Sequence, residues 1–223
     1  METKNFKVDE SLIFMGLLTF IGGYINAYAF FTRGQAFASM HTGNMAKIGL
    51  SLYQNNFEML ISSIVPILGC LLGAVLAQFL KFALKNYELA NLQRILLLSE
   101  LIVLFGIGFI STSFSNNIVN FLLSIITTFQ LSNFRKYNGN VHNSTIATGN
   151  LRTLGAHIGD LVIKRDVKSF KITSKYFVLV FSFPIGIFFG SFLSTVWGIY
   201  SIWLCCIILF FLLLLIKNES ENI

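Results

Sequence analysis

Charge and proline are what this sequence has least of: Asp, Glu, Lys and Arg make up 12% of its 223 residues, and there are two prolines. With 55% hydrophobic residues and 24 phenylalanines, the composition lies far outside the soluble globular range. The three cysteines, Cys70, Cys205 and Cys206, sit inside apolar runs with no CxxC or Cys/His spacing, so neither a disulfide framework nor a zinc site is supported. No HExxH, GxSxG or phosphate-binding glycine loop occurs, and the ten acidic residues form no pair on one helical face. An enzyme is therefore not expected, nor a cofactor or a metal. The net charge of +6 would point to nucleic acid in a soluble protein, but here it reads as basic loops on the cytoplasmic side of a membrane.

What the sequence has in abundance is long apolar runs. Six of them, at about 12–31, 57–80, 95–113, 117–134, 174–195 and 197–216, are long enough to cross as helices a hydrocarbon core of about 30 Å, which takes roughly 20 residues. Lys4 and Lys7 before the first run, with Ala27-Tyr28-Ala29 at its end, imitate a secretory signal. The run is nevertheless long enough to span and its end belongs to an internal repeat, so it is read as a retained helix. Fourteen of the sixteen Lys and Arg residues fall on one side of the spans, leaving Arg33 and Lys47 on the other, and both termini are expected in the cytoplasm.

The repeat centres on Thr42-Gly43-Asn44, which returns 106 positions later as Thr148-Gly149-Asn150. The same shift pairs Gly49 with Gly155, Ser39 with Thr145 and Tyr28 with Phe134. Gly69, Gly73 and Ala77, with Pro66 upstream, recur as Gly186, Gly190 and Ser194 with Pro184, and such small-residue faces predict close helix packing. Three spans per half is an odd number, which inverts the second half relative to the first. The expected fold is all-α: a single polytopic membrane domain over 1–223, with six transmembrane helices in two inverted three-helix repeats, about 11–93 and 94–217. Each Thr-Gly-Asn is expected to break the chain and cap a short re-entrant helix, from Met45 to Tyr53 and from Leu151 to Ile163. Eight spans in parallel repeats is the alternative, and it places more basic residues outside.

Two half-helix N-termini that converge inside a membrane present free N–H groups to a polar or anionic solute. Candidate binding residues are Asn26, His41, Thr42, Gly43, Asn44, Gln130, Asn133, Thr148, Gly149 and Asn150, with the two threonines as caps. Glu100 in the third span and Asp160 after the second triplet are candidates for coupling; Glu100 pairing with Arg94 is the structural alternative. His142 falls in a polar loop. The expected function is a small-solute transporter or channel, with a non-transporting membrane partner or assembly protein as the rival reading. Expected partners are the lipid bilayer, the solute and further copies of the chain, and no nucleic acid.

The stretches Gly22-Gly23-Tyr24-Ile25-Asn26-Ala27, Phe37-Ala38-Ser39-Met40-His41-Thr42-Gly43-Asn44, Phe129-Gln130-Leu131-Ser132-Asn133 and Thr145-Ile146-Ala147-Thr148-Gly149-Asn150 resemble the YoaK family of bacterial inner-membrane proteins, over nearly the whole chain. The resemblance implies a multi-pass protein of the inner (plasma) membrane and names no substrate. Family members often carry Asp at the position of Asn26 and Thr at that of Asn150, so proton coupling through residue 26 is not carried over.

Overall fold

The computed structural model describes residues 11–85, 89–134, 136–137, 140–145 and 147–220; Lys4, Lys7 and Arg135, which enter the charge count, lie outside them. The described chain forms helices α1 (Leu12–Thr32), α2 (His41–Tyr53), α3 (Phe57–Ala83), α4 (Leu89–Ile107), α5 (Asn116–Asn133), α6 (Ala147–Lys164), α7 (Val167–Trp197) and α8 (Trp203–Ser220). A two-residue antiparallel pair, β1 (Lys136–Tyr137) with β2 (Asn140–Val141), follows α5, and a 3-10 turn (Gly198–Ile202) joins α7 to α8. Three helical stretches, Leu12–Thr32, Phe57–Ala83 and Val167–Ile216, are long and apolar enough to cross a membrane, which marks a membrane protein.

α1 is the central helix. Ser11 starts it by accepting the Phe14 N–H on its hydroxyl at 3.2 Å, and every residue from Ile21 to Ala29 is buried. A helix apolar on all sides needs neighbours on all sides, and α1 has α7 along most of its length, with α5 and α8 beside it. α3 is the opposite case. Its buried residues, Ser63, Pro66, Gly69, Gly73 and Ala77, form one narrow stripe, while Leu68, Leu71, Phe79 and Phe82 are exposed. That distribution fits a helix with lipid around most of its circumference.

The main helix contacts come in two matching sets. A Cβ added at Gly69 would lie 2.6 Å from the Phe121 carbonyl oxygen of α5, and one at Gly73 would lie 2.8 Å from that of Ile125. On the other side, Gly186 would meet the Phe20 carbonyl of α1 at 2.1 Å, and Gly190 that of Tyr24 at 2.8 Å. The two tightest helix pairs are thus α1 with α7 and α5 with α3. Likewise α2 rests on α3 as α6 rests on α7, and α4 packs on α8. The small-residue stripes are helix contacts, as their spacing predicts.

Several expected boundaries move, each for a local reason. The third run is helical over Leu89–Ile107 rather than 95–113, because the chain turns after Ile107. There Arg33 donates to the carbonyls of Ile107 (3.3 Å), Ile110 (2.8 Å) and Ser111 (3.4 Å), at the end where the helix dipole favours a cation. Arg33, counted from sequence among the cations of an outer loop, is therefore fully buried. α7 begins at Val167 rather than 174 because the Asp166 carboxylate caps it, accepting the Ser169 N–H at 2.6 Å. The final run breaks at Gly198, whose φ of 56° favours glycine, so α8 starts at Trp203 and not at 197. Most consequentially, α2 and α6 begin at His41 and Ala147, so each Thr-Gly-Asn lies within the first helical turn and not ahead of it. Thr42 and Thr148 are exposed, and the N-cap position of α2 is Met40, with no side-chain bond; the expectation that the threonines cap is corrected.

Candidate functional site

The physical role of the repeated triplet is a loop clamp. The Asn44 amide reaches back seven residues to Phe37, accepting its N–H at 3.2 Å and donating to its carbonyl at 2.7 Å. Asn150 does the same to Asn143, at 3.0 and 2.6 Å. Both asparagines are buried, and the bidentate pairing occupies the amide oxygen and nitrogen alike. The glycine serves the same residue. Gly43 lies against the Phe37 ring, where a Cβ would stand 3.2 Å away, and Gly149 lies against the Asn143 amide, at 3.3 Å. The triplet therefore folds the seven-residue approach to each short helix onto that helix's own start.

Held this way, the two loops meet. The Ser39 hydroxyl donates to the Thr145 carbonyl at 3.3 Å, joining residues that stand 106 positions apart and are mates in the repeat. The first loop is fixed by α1 and α5. Asn26 accepts the N–H groups of Ser39 (3.0 Å) and Met40 (3.2 Å) and donates to the Ser39 hydroxyl (2.7 Å), while Ser124 and Thr127 donate to the Ala38 carbonyl at 2.7 and 3.3 Å. The second loop is fixed more sparingly. Gln130 donates from its amide nitrogen to the Ser144 hydroxyl (2.8 Å) and the Leu18 carbonyl (2.9 Å), and His142 meets Thr19 at 2.9 Å. Because the Thr19 hydroxyl proton goes to the Met15 carbonyl at 2.7 Å, Nε2 of His142 is the donor to Thr19, and its Nδ1 carries a lone pair.

Three buried polar atoms around this second loop have no hydrogen-bond partner among the described residues: Gln130 Oε1, Thr145 Oγ1 and His142 Nδ1. All three residues are within 1% of complete burial. Burial pushes the His142 imidazole down to about 4, which keeps it neutral. His41, at the start of α2, also has both ring nitrogens buried and unpartnered, and burial lowers its pKa too.

The sequence candidates divide accordingly. Asn26, Gln130, Asn44 and Asn150 are brought to the loop junction, and His41 adjoins it. Asn133 is not: its amide nitrogen bonds the Phe129 carbonyl of its own helix at 2.8 Å. Thr42 and Thr148 face outward, and Gly149 is exposed. Asp160 is half exposed on α6 and pairs with Lys164 at 3.0 Å. Glu100 is buried on α4, which packs on α8, its Oε1 without a partner among the described residues; Arg94 donates to the Ile216 carbonyl at 3.2 Å. Sequence reasoning missed His142, Ser144, Thr145, Ser124 and Thr127. Only Ser39 and Thr145 had left a signal, as an aligned pair in the repeat.

Residues 14–215, from α1 through both loops into α8, match the profile of a family described as "Protein of unknown function (DUF1275)". The chain belongs to this family. No curated protein and no solved structure matches it. The family's description carries no activity, so a functional reading has to come from the geometry of the junction.

Proposed function

We propose that the chain is a small-solute transporter or channel of the inner membrane, its central site at the meeting of the two loops. The reading has six spans, α1, α3, α4, α5, α7 and α8, in two inverted halves. The excess of Lys and Arg on one side of those spans supports a cytoplasmic position for both termini. α2 and α6, the latter as long as α5 but less apolar, are read as re-entrant helices whose starts lie beside Ser39 and Thr145, so their N-terminal dipoles favour a polar or anionic solute there.

One observation carries the reading: the unpartnered Gln130 Oε1, Thr145 Oγ1 and His142 Nδ1 beside the Ser39–Thr145 contact. Each buried unpaired group costs about 1–3 kcal/mol, which an apolar side chain of the same shape would spare. A purely structural junction has no use for three of them, whereas a solute or its water needs such groups. In this reading Asn44 and Asn150 are positioning residues, acting through the loops they hold.

The test is uptake into proteoliposomes across a panel of small polar and anionic solutes, comparing the parent with Thr145→Val. Loss of flux in a variant that folds and melts like the parent supports the site. Normal flux in Thr145→Val moves the site elsewhere. A parent that moves no member of the panel leaves the membrane-partner reading in its place.

A further inference from the structure

A second feature, outside the loop junction, has the make-up of a recognition site. A cleft of about 570 Å³ opens between the end of α1, α2 and the starts of α3 and α5. That volume suits a small-molecule ligand. Its lining carries charge of both signs at different places, including Lys47 of α2 and Glu58 in the first turn of α3. Among ion pairs between described residues, Asp160 with Lys164 is the one formed, so Lys47 and Glu58 are not spent on each other.

The positive side of the cleft is built in depth. The Lys47 ammonium is steered by the Gln35 carbonyl and lies 5.1 Å from the centre of the Phe30 ring and 4.5 Å from that of Phe37. That arrangement fixes its place and leaves further N–H donors on the ammonium. The buried Arg33, also in the lining, adds a second cation with no carboxylate partner among the described residues. α5, a helix of 18 residues, starts at this cleft with no side-chain cap, and its first two residues, Asn116 and Asn117, line it. The negative side is the Glu58 carboxylate together with Asn116 Oδ1, a buried acceptor that has no partner. An anion alone would sit near the Glu58 carboxylate and leave the Asn116 acceptor unused, and a cation alone would sit against Lys47 and Arg33.

We infer that this cleft binds a small zwitterion bearing a carboxylate and an ammonium group, as in a free amino acid. The carboxylate goes to Lys47 and the start of α5, the ammonium to Glu58 and Asn116 Oδ1. Because residues 33–35 of the cleft wall run directly into the loop that ends at Ser39, the cleft is the entrance to the central junction. The inference rests on the transport reading for this last step alone; binding stands independently of it.

The experiment is isothermal titration and thermal shift of the full chain in nanodiscs with glycine and L-serine, each against two controls, the amide, which lacks the carboxylate, and the N-acetyl derivative, which lacks the ammonium. Binding of the free amino acids with both controls weaker by at least about tenfold, the worth of one charge-assisted hydrogen bond, is the expected result. Lys47→Met and Glu58→Gln should each weaken the amino acid by a similar factor, and Glu58→Gln should do so without weakening the N-acetyl control. Equal binding of parent and controls, or no binding of either amino acid by a folded parent, overturns the inference. Binding without uptake in proteoliposomes overturns the entrance role and the transport reading while the zwitterion site stands. Uptake of another solute class without amino-acid binding does the reverse.

Discussion

The loops ending at Ser39 and Thr145 are held by the same clamp, yet they differ in what they leave unpaired. In the first, Asn26 alone accounts for two backbone N–H groups and a hydroxyl, and Ser124 and Thr127 account for the Ala38 carbonyl. In the second, alanine gives way to a polar residue at both mates of the repeat, His142 for Ala36 and Ser144 for Ala38, and three polar atoms remain without partners. The two clamps are alike, but the unpartnered groups differ in kind: an amide oxygen, a hydroxyl and one imidazole nitrogen at the second loop, and the two ring nitrogens of His41 beside the first.

The largest expected effect comes from breaking the helix pairs that carry the two loops, because these are matched in pattern but not in tightness. At Gly186 an added Cβ would meet backbone at 2.1 Å, against 2.6 Å at Gly69. Backbone cannot swing aside as a side-chain tip can, so Gly186→Ala should cost about 3 kcal/mol or prevent folding, and Gly69→Ala about 1–2 kcal/mol. Melting temperature and membrane yield measure both. Equal behaviour of the two variants would mean that α1–α7 and α3–α5 relax alike, and the difference in closeness has no energetic content.

Next in size are the clamps. Asn44→Ala and Asn150→Ala each strip two hydrogen bonds from the backbone of a half-buried loop residue, and each should lose about 1–3 kcal/mol in thermal or denaturant unfolding. The two losses should be alike, because the partners and distances are alike. The double variant should depart from additivity by about 0.5 kcal/mol or more, since the loops touch at Ser39–Thr145. A variant that melts like the parent would show that its loop is held by α1 or α5 without the clamp.

The repeated Thr-Gly-Asn was legible as a repeat because identity at a fixed offset needs no structure. Its role was not legible. Asparagine is favoured both as an N-cap and as a clamp on a backbone seven residues earlier, and only the position of the helix start decides between them. The glycine stripes were read correctly because spacing of four on a helix has one geometric meaning. Gln130 and Asn133 show the limit on the other side. Both are amides near the end of the same apolar run, yet the first crosses to α1 and the second bonds its own helix, a difference of three residues on the helical wheel. Arg33 misled for a related reason, since a cation between spans is counted as exposed unless a helix end waits to be filled.

A smaller effect separates the two sides of the loop contact. Ser39→Ala removes a donor that is in use and should cost about 1 kcal/mol, leaving the Thr145 carbonyl short of a partner. Thr145→Val removes a hydroxyl that has none, and should be neutral or stabilising by up to about 1 kcal/mol. The same substitution is the one expected to abolish flux, so stability and activity move apart at this position. If Thr145→Val destabilises by as much as Ser39→Ala, the hydroxyl is a structural group and the asymmetry between the loops disappears.

The smallest effect lies at the paired starts of α3 and α7, which are capped alike by residues of different chemistry. Asn56 accepts the Met59 N–H at 3.0 Å, and Asp166 accepts the Ser169 N–H at 2.6 Å. An amide cap is indifferent to pH over the working range, but a carboxylate is not. The Ser169 N–H holds the Asp166 carboxyl below its usual range, with Lys164 and Lys168 adding to the same direction. A folded pKa below the unfolded one means that this contribution is fully present above the unfolded value of about 3.9, and is lost as the pH falls through the folded value. At neutral pH the two helix starts should therefore be comparably protected, and in acid the start of α7 should fray while that of α3 holds. Hydrogen exchange resolved to residues 57–62 and 167–172, corrected for the intrinsic pH dependence of exchange, measures the difference at pH 7 and pH 3. Asp166→Asn keeps an acceptor on the cap and removes the titration, so it should make α7 behave as α3 does. Acid fraying that persists in Asp166→Asn would place its cause in another group, and the two caps would then be equivalent in energy as well as in geometry.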